Sequence, residues 1–190
     1  MNSLKKITCI TALGILTVLN TACSDNKDSK EIAEQANEEK FDGKEEKAVD
    51  HLVDAYSGNM YEIKAAENAC MNAATPEVKK LAMMMMEAHG KMNVEIEKLA
   101  TSKSVTLPLN LTEDQRKDIE QLNEKTGMDY DKAYVSKMKD KHEDALKMLE
   151  GVSEKCDDAE IKAWAQKSAP VVGSHLEMVK TTQDNIKDKK

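Results

Sequence analysis

The chain has 190 residues with 35 acidic and 28 basic side chains, which gives a formal net charge of −7. An acidic balance of this size repels nucleic acid, so nucleic acid is excluded as an expected partner. The length fits one ordinary domain with short additional segments.

Residues 1–22 have the pattern of a secretory signal. A short positive start precedes an apolar run over residues 7–19, which is too short to span a bilayer. The run leads into the letters LNTAC, which end at Cys23 and resemble the lipobox of bacterial lipoproteins. The resemblance implies that the signal is cleaved before Cys23 and that this cysteine is acylated. The alternative is an ordinary secretory signal that is cleaved nearby.

Acylation of Cys23 would decide where the protein works. Two or three acyl chains on one residue make release from a membrane negligible. We therefore expect a lipid-anchored protein of the cell envelope, in the outer membrane of a Gram-negative bacterium, facing the periplasm or the cell surface. The membrane is then one partner, while an envelope protein partner and the oligomeric state stay open.

The segment 23–47 is predicted to be the lipidated cysteine followed by a disordered, charged tether. Its many charged residues leave few apolar positions, too few for burial to offset the entropy lost on ordering. From residue 48 to residue 187 apolar residues recur every three or four positions, which is typical of helices packed in a bundle domain.

Two long helices are predicted in the first half of this domain. The first carries a seven-residue apolar repeat like that of coiled coils, and Thr75 with Pro76 supplies the N-cap and first-turn proline of the second. Their expected buried faces are Val49, Leu52, Val53, Tyr56, Met60, Ile63, Ala66, Cys70 and Ala73, and then Val78, Leu81, Ala82, Met85, His89, Met92, Ile96 and Leu99.

A short helix and two more long helices complete the pattern. Thr112 and Gln115 form a capping box for the short helix, which lies in the connection between the second and third long helices. The third long helix is predicted to begin at Asp129, and the fourth contains Pro170. The expected buried face of the fourth is Ile161, Trp164, Ala165, Ser168, Val172, His175, Val179 and Ile186. No alternating apolar run suggests a strand. The predicted fold is therefore all-α: an antiparallel four-helix bundle, up-down-up-down, with one short extra helix in the second-to-third crossover.

Three of the four histidines fall on predicted buried faces. They are His89, His142 and His175, one on each of the last three long helices, at heights that agree within about two helical turns. Glu62 is the carboxylate available at that height on the first helix. Imidazole and carboxylate are ligands of zinc, copper and iron, so these four residues are the candidate metal site.

The alternative is that each histidine is a core residue satisfied by a carbonyl, an acid or water. A ferritin-type diiron centre is not expected, because it needs a Glu-x-x-His pair on each of two helices and this chain has none. The methionines at positions 83–86 and 92 also suggest copper, but filling of the core is the preferred explanation.

Apart from the cysteine within the signal and the lipidated Cys23, the chain has two cysteines, Cys70 and Cys156. The up-down-up-down order places both at the same end of the bundle, where an oxidising compartment permits a disulfide. The alternative is two free thiols with misaligned side chains.

The ordered set of these residues resembles the bacterial family called domain of unknown function 4142, small envelope proteins with a ferritin-like bundle. The resemblance covers about residues 48–180 and implies a ferritin-like, all-α fold without implying any activity. It is carried by Glu62, Ala69, Val78, Leu81, Ala82, Met85, His89, Leu99, Ala100, Leu107, Pro108, Asp131, Tyr134, His142, Pro170, His175 and Leu176.

The sequence therefore favours a non-catalytic, envelope-anchored bundle with a histidine layer that has the ligand types of a transition-metal site. Two alternatives stay open. One is a structural or protein-interaction module without metal. The other, less favoured, is an enzyme that uses a metal-activated water, which needs an open coordination position. Asp131 lies too far along its helix from His142 to share a metal with it, and it is interpreted as a helix-start residue.

Overall fold

The computed structural model describes residues 28–189, all of whose regular elements are helices. The signal over residues 1–22 and Cys23 lie outside the described residues. The six helices are α1 (Ser29–Glu38), α2 (Gly43–Asn72), α3 (Pro76–Lys103), α4 (Glu113–Asn123), α5 (Gly127–Lys155) and α6 (Ala159–Ile186). In the described part of the chain, no helix is both long enough and apolar enough to cross a membrane.

Four long helices, α2, α3, α5 and α6, form the body of the molecule. The helix α2 packs against α3 and α5, and α6 packs against α5 and α3, so each long helix has two main neighbours. The all-α prediction is confirmed. The expected capping box of α4 is also confirmed, because Thr112 accepts a hydrogen bond from the Gln115 backbone and the Gln115 side chain accepts one from the Thr112 backbone.

Contacts between helix ends give the direction of each helix. At one end of the bundle, Asp131 near the start of α5 binds the turn between α2 and α3, and Lys189 after α6 pairs with Glu77 at the start of α3. At the other end, Lys103 in the last turn of α3 pairs with Asp158 at the start of α6. Hence α2 and α6 run one way, while α3 and α5 run the other way.

The predicted up-down-up-down order is therefore wrong; the order is up-down-down-up. The cause is the connection between α3 and α5. It carries its own helix α4, which packs along α2 and α5, and it runs the length of the bundle before α5 begins. A short loop would have forced α3 and α5 to be antiparallel. A long crossover lets these two consecutive long helices run in the same direction.

The prediction of a disordered tether over residues 23–47 is also wrong in its described part. Residues 29–38 form α1, capped by Asp28, and α2 already begins at Gly43. Asn37 is fully buried; its side chain donates to the Thr106 carbonyl at 2.9 Å and accepts from the Thr106 amide at 2.8 Å. The polar side chain of Asn37 thus attaches a segment that its apolar content alone would not hold.

The candidate disulfide is not formed. Among the described residues, Cys70 and Cys156 are both free thiols. Cys70 lies near the end of α2, beside the start of α5, whereas Cys156 caps the other end of the 29-residue helix α5. At about 1.5 Å per residue, the length of α5 separates the two thiols by roughly 40 Å. The disulfide prediction was wrong because it assumed the up-down-up-down helix order.

Candidate metal centre

A polar layer crosses the middle of the bundle between two apolar clusters. The cluster nearer the α2–α3 turn includes Tyr61, Met85 and Tyr134, and the other includes Leu52, Ile96 and Trp164. We call the side chains between them the histidine layer: Asn59, Glu62, His89, His142 and His175. Each of these five residues is at least 94% buried.

The three histidines meet as the sequence predicts. The ring centroid of His89 lies 5.3 Å from that of His142 and 5.4 Å from that of His175. The centroids of His142 and His175 are 5.7 Å apart. One nitrogen from each ring can be chosen so that all three lie within 4.8 Å of one another. This group could hold a metal ion.

Hydrogen bonds at the outer side of two rings fix which nitrogen carries the hydrogen. His142 Nδ1 lies 2.8 Å from the Met138 carbonyl oxygen, and His89 Nδ1 lies 2.8 Å from Asn59 Oδ1. Both oxygens can only accept, so in the neutral rings each Nδ1 donates. The side-chain nitrogen Nδ2 of Asn59 donates to Asn93 Oδ1 at 2.8 Å, and this hydrogen bond holds the Asn59 amide in its orientation.

The inner nitrogens are therefore left with their lone pairs facing the centre of the layer. His89 Nε2 and His142 Nε2 lie 3.3 Å apart, and Glu62 Oε2 lies 3.0 Å from His89 Nε2. Glu62 Oε2 is also 3.5 Å from His142 Nδ1, yet no donor among residues 28–189 satisfies it. Acceptor atoms this close repel each other unless a proton or a metal cation lies between them.

Burial sets the protonation of these groups. It raises the pKa of Glu62 to about 8, although the ammonium of nearby Lys141 works against this rise. Burial, together with repulsion from neighbouring imidazoles, lowers the pKa of His89 to about 3 and that of His142 to about 4. Burial also lowers the pKa of His175. Neutral imidazoles are the form that binds a cation, and a protonated Glu62 can donate to His89 in its absence.

The distances agree with part of a tetrahedral site. With metal–nitrogen bonds of about 2.0 to 2.1 Å, two nitrogens on one ion are roughly 3.4 Å apart. The 3.3 Å between His89 and His142 already matches this spacing. The outer limit of 4.8 Å for the group exceeds this spacing, so the three rings must close inward to hold one ion together.

Solvent can reach the layer from two sides. A cavity of about 350 Å³ is lined by Glu62, His89 and His142, with Gly58 of α2 and Ala145 of α5 also in its lining. On the opposite side, a groove between α3 and α6 reaches His175. The site is thus buried but has paths by which an ion or a small ligand can enter.

Sequence patterns found the histidines and Glu62 but missed Asn59, Asn93 and Lys141. On α2 the predicted buried face is rotated: Tyr56, Met60 and Ile63 are only half-buried, while Asn59 and Glu62 face inward. An apolar pattern cannot find polar side chains on a buried face. The available signal was the three-residue spacing of Asn59 and Glu62, which places them on one side of a helix.

Asp131 does not act as a helix-start residue. Although it lies in the first turns of α5, its carboxylate accepts backbone hydrogen bonds from Ala74 and Thr75 in the α2–α3 turn, each 2.8 Å long. As expected, it takes no part in the histidine layer.

The architecture and the layer define an all-helical protein with a central polar layer of imidazoles and a carboxylate. The chain belongs to the family described as Domain of unknown function (DUF4142), whose match extends over residues 30–182 and therefore includes α1. No curated protein matches the chain.

One solved structure similar to this chain is that of a conserved hypothetical protein, Rv2844, from Mycobacterium tuberculosis. The TM-score is 0.52 at 12% sequence identity, and the similarity covers 82% of this chain and 93% of that chain. At this identity the likeness extends to the fold alone.

Proposed function

We propose that the protein binds one divalent transition ion through His89, His142 and His175, with Glu62 as the carboxylate ligand. The observation that carries this proposal is that two imidazole nitrogens lie 3.3 Å apart beside a buried carboxylate oxygen that has no hydrogen-bond partner within residues 28–189. A cation placed there would satisfy all three atoms at once. Buried acceptor atoms without donors otherwise destabilise a fold.

The chemistry of the donors limits the choice of ion. Nitrogen and oxygen ligands in this mixture suit zinc, iron(II) or copper(II) rather than magnesium or calcium. Asn59 and the Met138 carbonyl fix the ring orientations, as outer hydrogen-bond partners commonly do at metal sites. A diiron centre is not proposed, because the chain lacks the paired Glu-x-x-His motifs.

Cobalt(II) titration of metal-free protein tests the site, because tetrahedral cobalt absorbs visible light and stands in for zinc. We expect one equivalent to bind and His142→Ala to lose binding. The matched control is His51→Ala, since His51 lies outside the layer. Binding that survives His142→Ala as well as it survives His51→Ala would refute the proposal. The layer would then be a structural element that fixes helix register, consistent with an interaction module.

The cavity beside Glu62 supports a second candidate function. A metal with one open position could activate water there, and the roughly 350 Å³ cavity leaves room for a small ligand next to the site. Metal-dependent hydrolysis of an activated ester that disappears in His142→Ala would support an enzyme. Equal rates with and without metal would leave ion binding as the function.

The order of the helices supports a ferritin-like topology for the bundle. Ferritin-like folds have one long crossover between otherwise antiparallel neighbours, and the connection that contains α4 runs in this way. The ferritin-like fold is thus proposed without the ferritin-type diiron site.

We further propose that the domain is anchored to the cell envelope through an acylated Cys23. The supporting observation is the apolar run that ends in LNTAC within a secretory signal pattern. A Cys23→Ala chain is expected to leave the membrane fraction, while the parent carries acyl chains visible by mass spectrometry. A parent chain without acyl groups would contradict the anchor but not the metal site.

A further inference from the structure

The groove between α3 and α6 has a different chemistry from the histidine layer. It has a volume of about 650 Å³, and its lining includes the thioethers of Met84, Met92 and Met178 and the imidazole of His175. Met84 and Met178 lie outside the apolar faces predicted from the sequence. Met84 and Met92 also pack against the two apolar clusters, whereas Met178 is 38% exposed. The groove therefore brings thioethers and an imidazole together at the edge of the core.

The positions of Met84 and Met178 place them at nearly the same height. Met84 precedes His89 by five residues on α3, and Met178 follows His175 by three residues on α6. Because these helices are antiparallel and the two histidine rings lie 5.4 Å apart, both methionines lie on the same side of the layer, with heights that differ by about 3 Å. Met92 lies on the other side, roughly 12 Å from Met84 along the axis.

The imidazole of His175 belongs both to the histidine layer and to the lining of the groove. It is 95% buried, it lines the groove, and its Nδ1 has no hydrogen-bond partner among residues 28–189. A buried ring nitrogen without a partner is rare in native folds, and an ion or a water molecule would satisfy it.

The charged residues of the groove are already paired. Glu87 pairs with Lys91 at 2.6 Å, and Glu95 pairs with Lys167 at 2.7 Å. No unpaired carboxylate of the groove lining is therefore left to attract a hard divalent ion. Besides the hydroxyls of Ser168 and Ser174, the donors that remain are thioethers and an imidazole. Thioethers together with an imidazole prefer a soft monovalent cation.

We propose that Met84, Met178 and His175 form a second site, which binds copper(I). The inference goes beyond the divalent site, because it does not need His89 or His142 to hold an ion. The two sites share only His175. Binding at the groove requires no change in the oxidation state of the ion, which arrives as copper(I).

Silver(I) is the probe for this site, since it has the same charge and softness as copper(I) and does not oxidise in air. Thiols would compete for it, so the four cysteines of the full chain are replaced by alanine and the protein is kept in detergent. We expect one silver ion per chain and shifted methyl resonances for Met84 and Met178. Shifts confined to other methionines, or no binding, would overturn the proposal.

Variants separate this site from the divalent one. Met84→Leu with Met178→Leu conserves volume and is expected to weaken silver binding at least about tenfold, while cobalt(II) binding at His89 and His142 stays unchanged. Met83→Leu is the matched control, because Met83 adjoins Met84 but does not line the groove. His142→Ala should remove cobalt binding and leave silver binding intact. Equal silver affinity in the double variant and the parent refutes the site.

Discussion

Two buried polar regions of this protein differ in one respect. Asp131 is fully buried, and each of its carboxylate oxygens accepts one short backbone hydrogen bond from the α2–α3 turn. In the histidine layer, Glu62 Oε2 and His175 Nδ1 are equally inaccessible but lack hydrogen-bond partners within residues 28–189. Burial removes both regions from water, but within residues 28–189 only the Asp131 carboxylate has a hydrogen-bond partner for each of its buried oxygens.

The difference separates a structural polar group from a binding one. A buried carboxylate with both oxygens satisfied stabilises the fold that surrounds it, and removing it leaves backbone donors without partners. A buried carboxylate without a donor destabilises the free protein, and a bound cation or proton recovers that loss. Stability measurements on metal-free protein should therefore give opposite results for Asp131 and Glu62.

The largest expected loss comes from Asp131→Ala. Two charge-assisted hydrogen bonds are removed and two backbone amides lose their acceptor, so the free energy of unfolding should fall by about 3 kcal/mol. Urea denaturation at pH 7 measures this loss. The control is Asp129→Ala, an exposed acid in the first turn of the same helix, which should cost less than about 1 kcal/mol. Equal losses would remove the distinction drawn for Asp131.

Glu62→Gln should act on stability in the opposite direction at alkaline pH. The pKa of Glu62 is raised from 4.5 to about 8 in the folded protein. Between these values the unfolded chain loses the proton while the folded chain keeps it, so stability falls as pH rises. From pH 6.5 to pH 8 the metal-free parent should lose about 2 kcal/mol.

The glutamine variant should lack this alkaline decline, because its side chain does not ionise. Urea denaturation at several pH values, with a chelator present, measures both proteins. The same decline in parent and variant would show that Glu62 is not the group responsible. Adding cobalt(II) should remove the decline in the parent, since the ion replaces the proton.

The histidines predict a decline on the acid side. The pKa values of His89 and His142 are lowered from 6.5 to about 3 and about 4. Below pH 6.5 the unfolded chain binds protons that the folded chain refuses, so stability falls as pH falls, by about 1.4 kcal/mol per pH unit for each ring. As pH falls, the stability lost through the two rings exceeds the stability gained through protonation of Glu62.

His142→Gln should make this acid decline shallower by the contribution of one ring, and His51→Gln serves as the control from outside the layer. The same urea experiment between pH 6.5 and pH 5 measures both variants. An unchanged slope in His142→Gln would mean that its ring takes up a proton as readily in the folded protein as in the unfolded chain.

The sequence predicted the histidine layer despite an error in helix direction, and the reason is geometric. His142 lies 15 residues from the start of α5 and 13 from its end, so reversing the helix moves the ring only slightly along the axis. Cys156 lies at the end of α5, and the same reversal moves it to the opposite end of the bundle. A residue near the middle of a helix is therefore predicted more safely than one at its end.

Other failures have a different cause. The apolar pattern predicted the buried face of α6 well, because its members from Ile161 to Ile186 are mostly apolar. It failed in the middle of α2, where Asn59 and Glu62 are buried, and in α1, where Asn37 attaches the helix by hydrogen bonds. Burial driven by polar contacts depends on a partner elsewhere in the chain, which local periodicity does not reveal.

Asn37→Ala tests this conclusion with the smallest expected effect. Asn37 is buried like Asp131, and both of its hydrogen bonds go to the Thr106 backbone. They join neutral groups, and Thr106 is half-buried, so water can replace part of what is lost. We expect a loss of about 1 kcal/mol by urea denaturation at pH 7. Glu38→Ala, an exposed neighbour on α1, should change stability by less than about 0.5 kcal/mol. If both variants match the parent, the hydrogen bonds of Asn37 contribute nothing to stability, and polar contacts do not explain how α1 is held on the bundle.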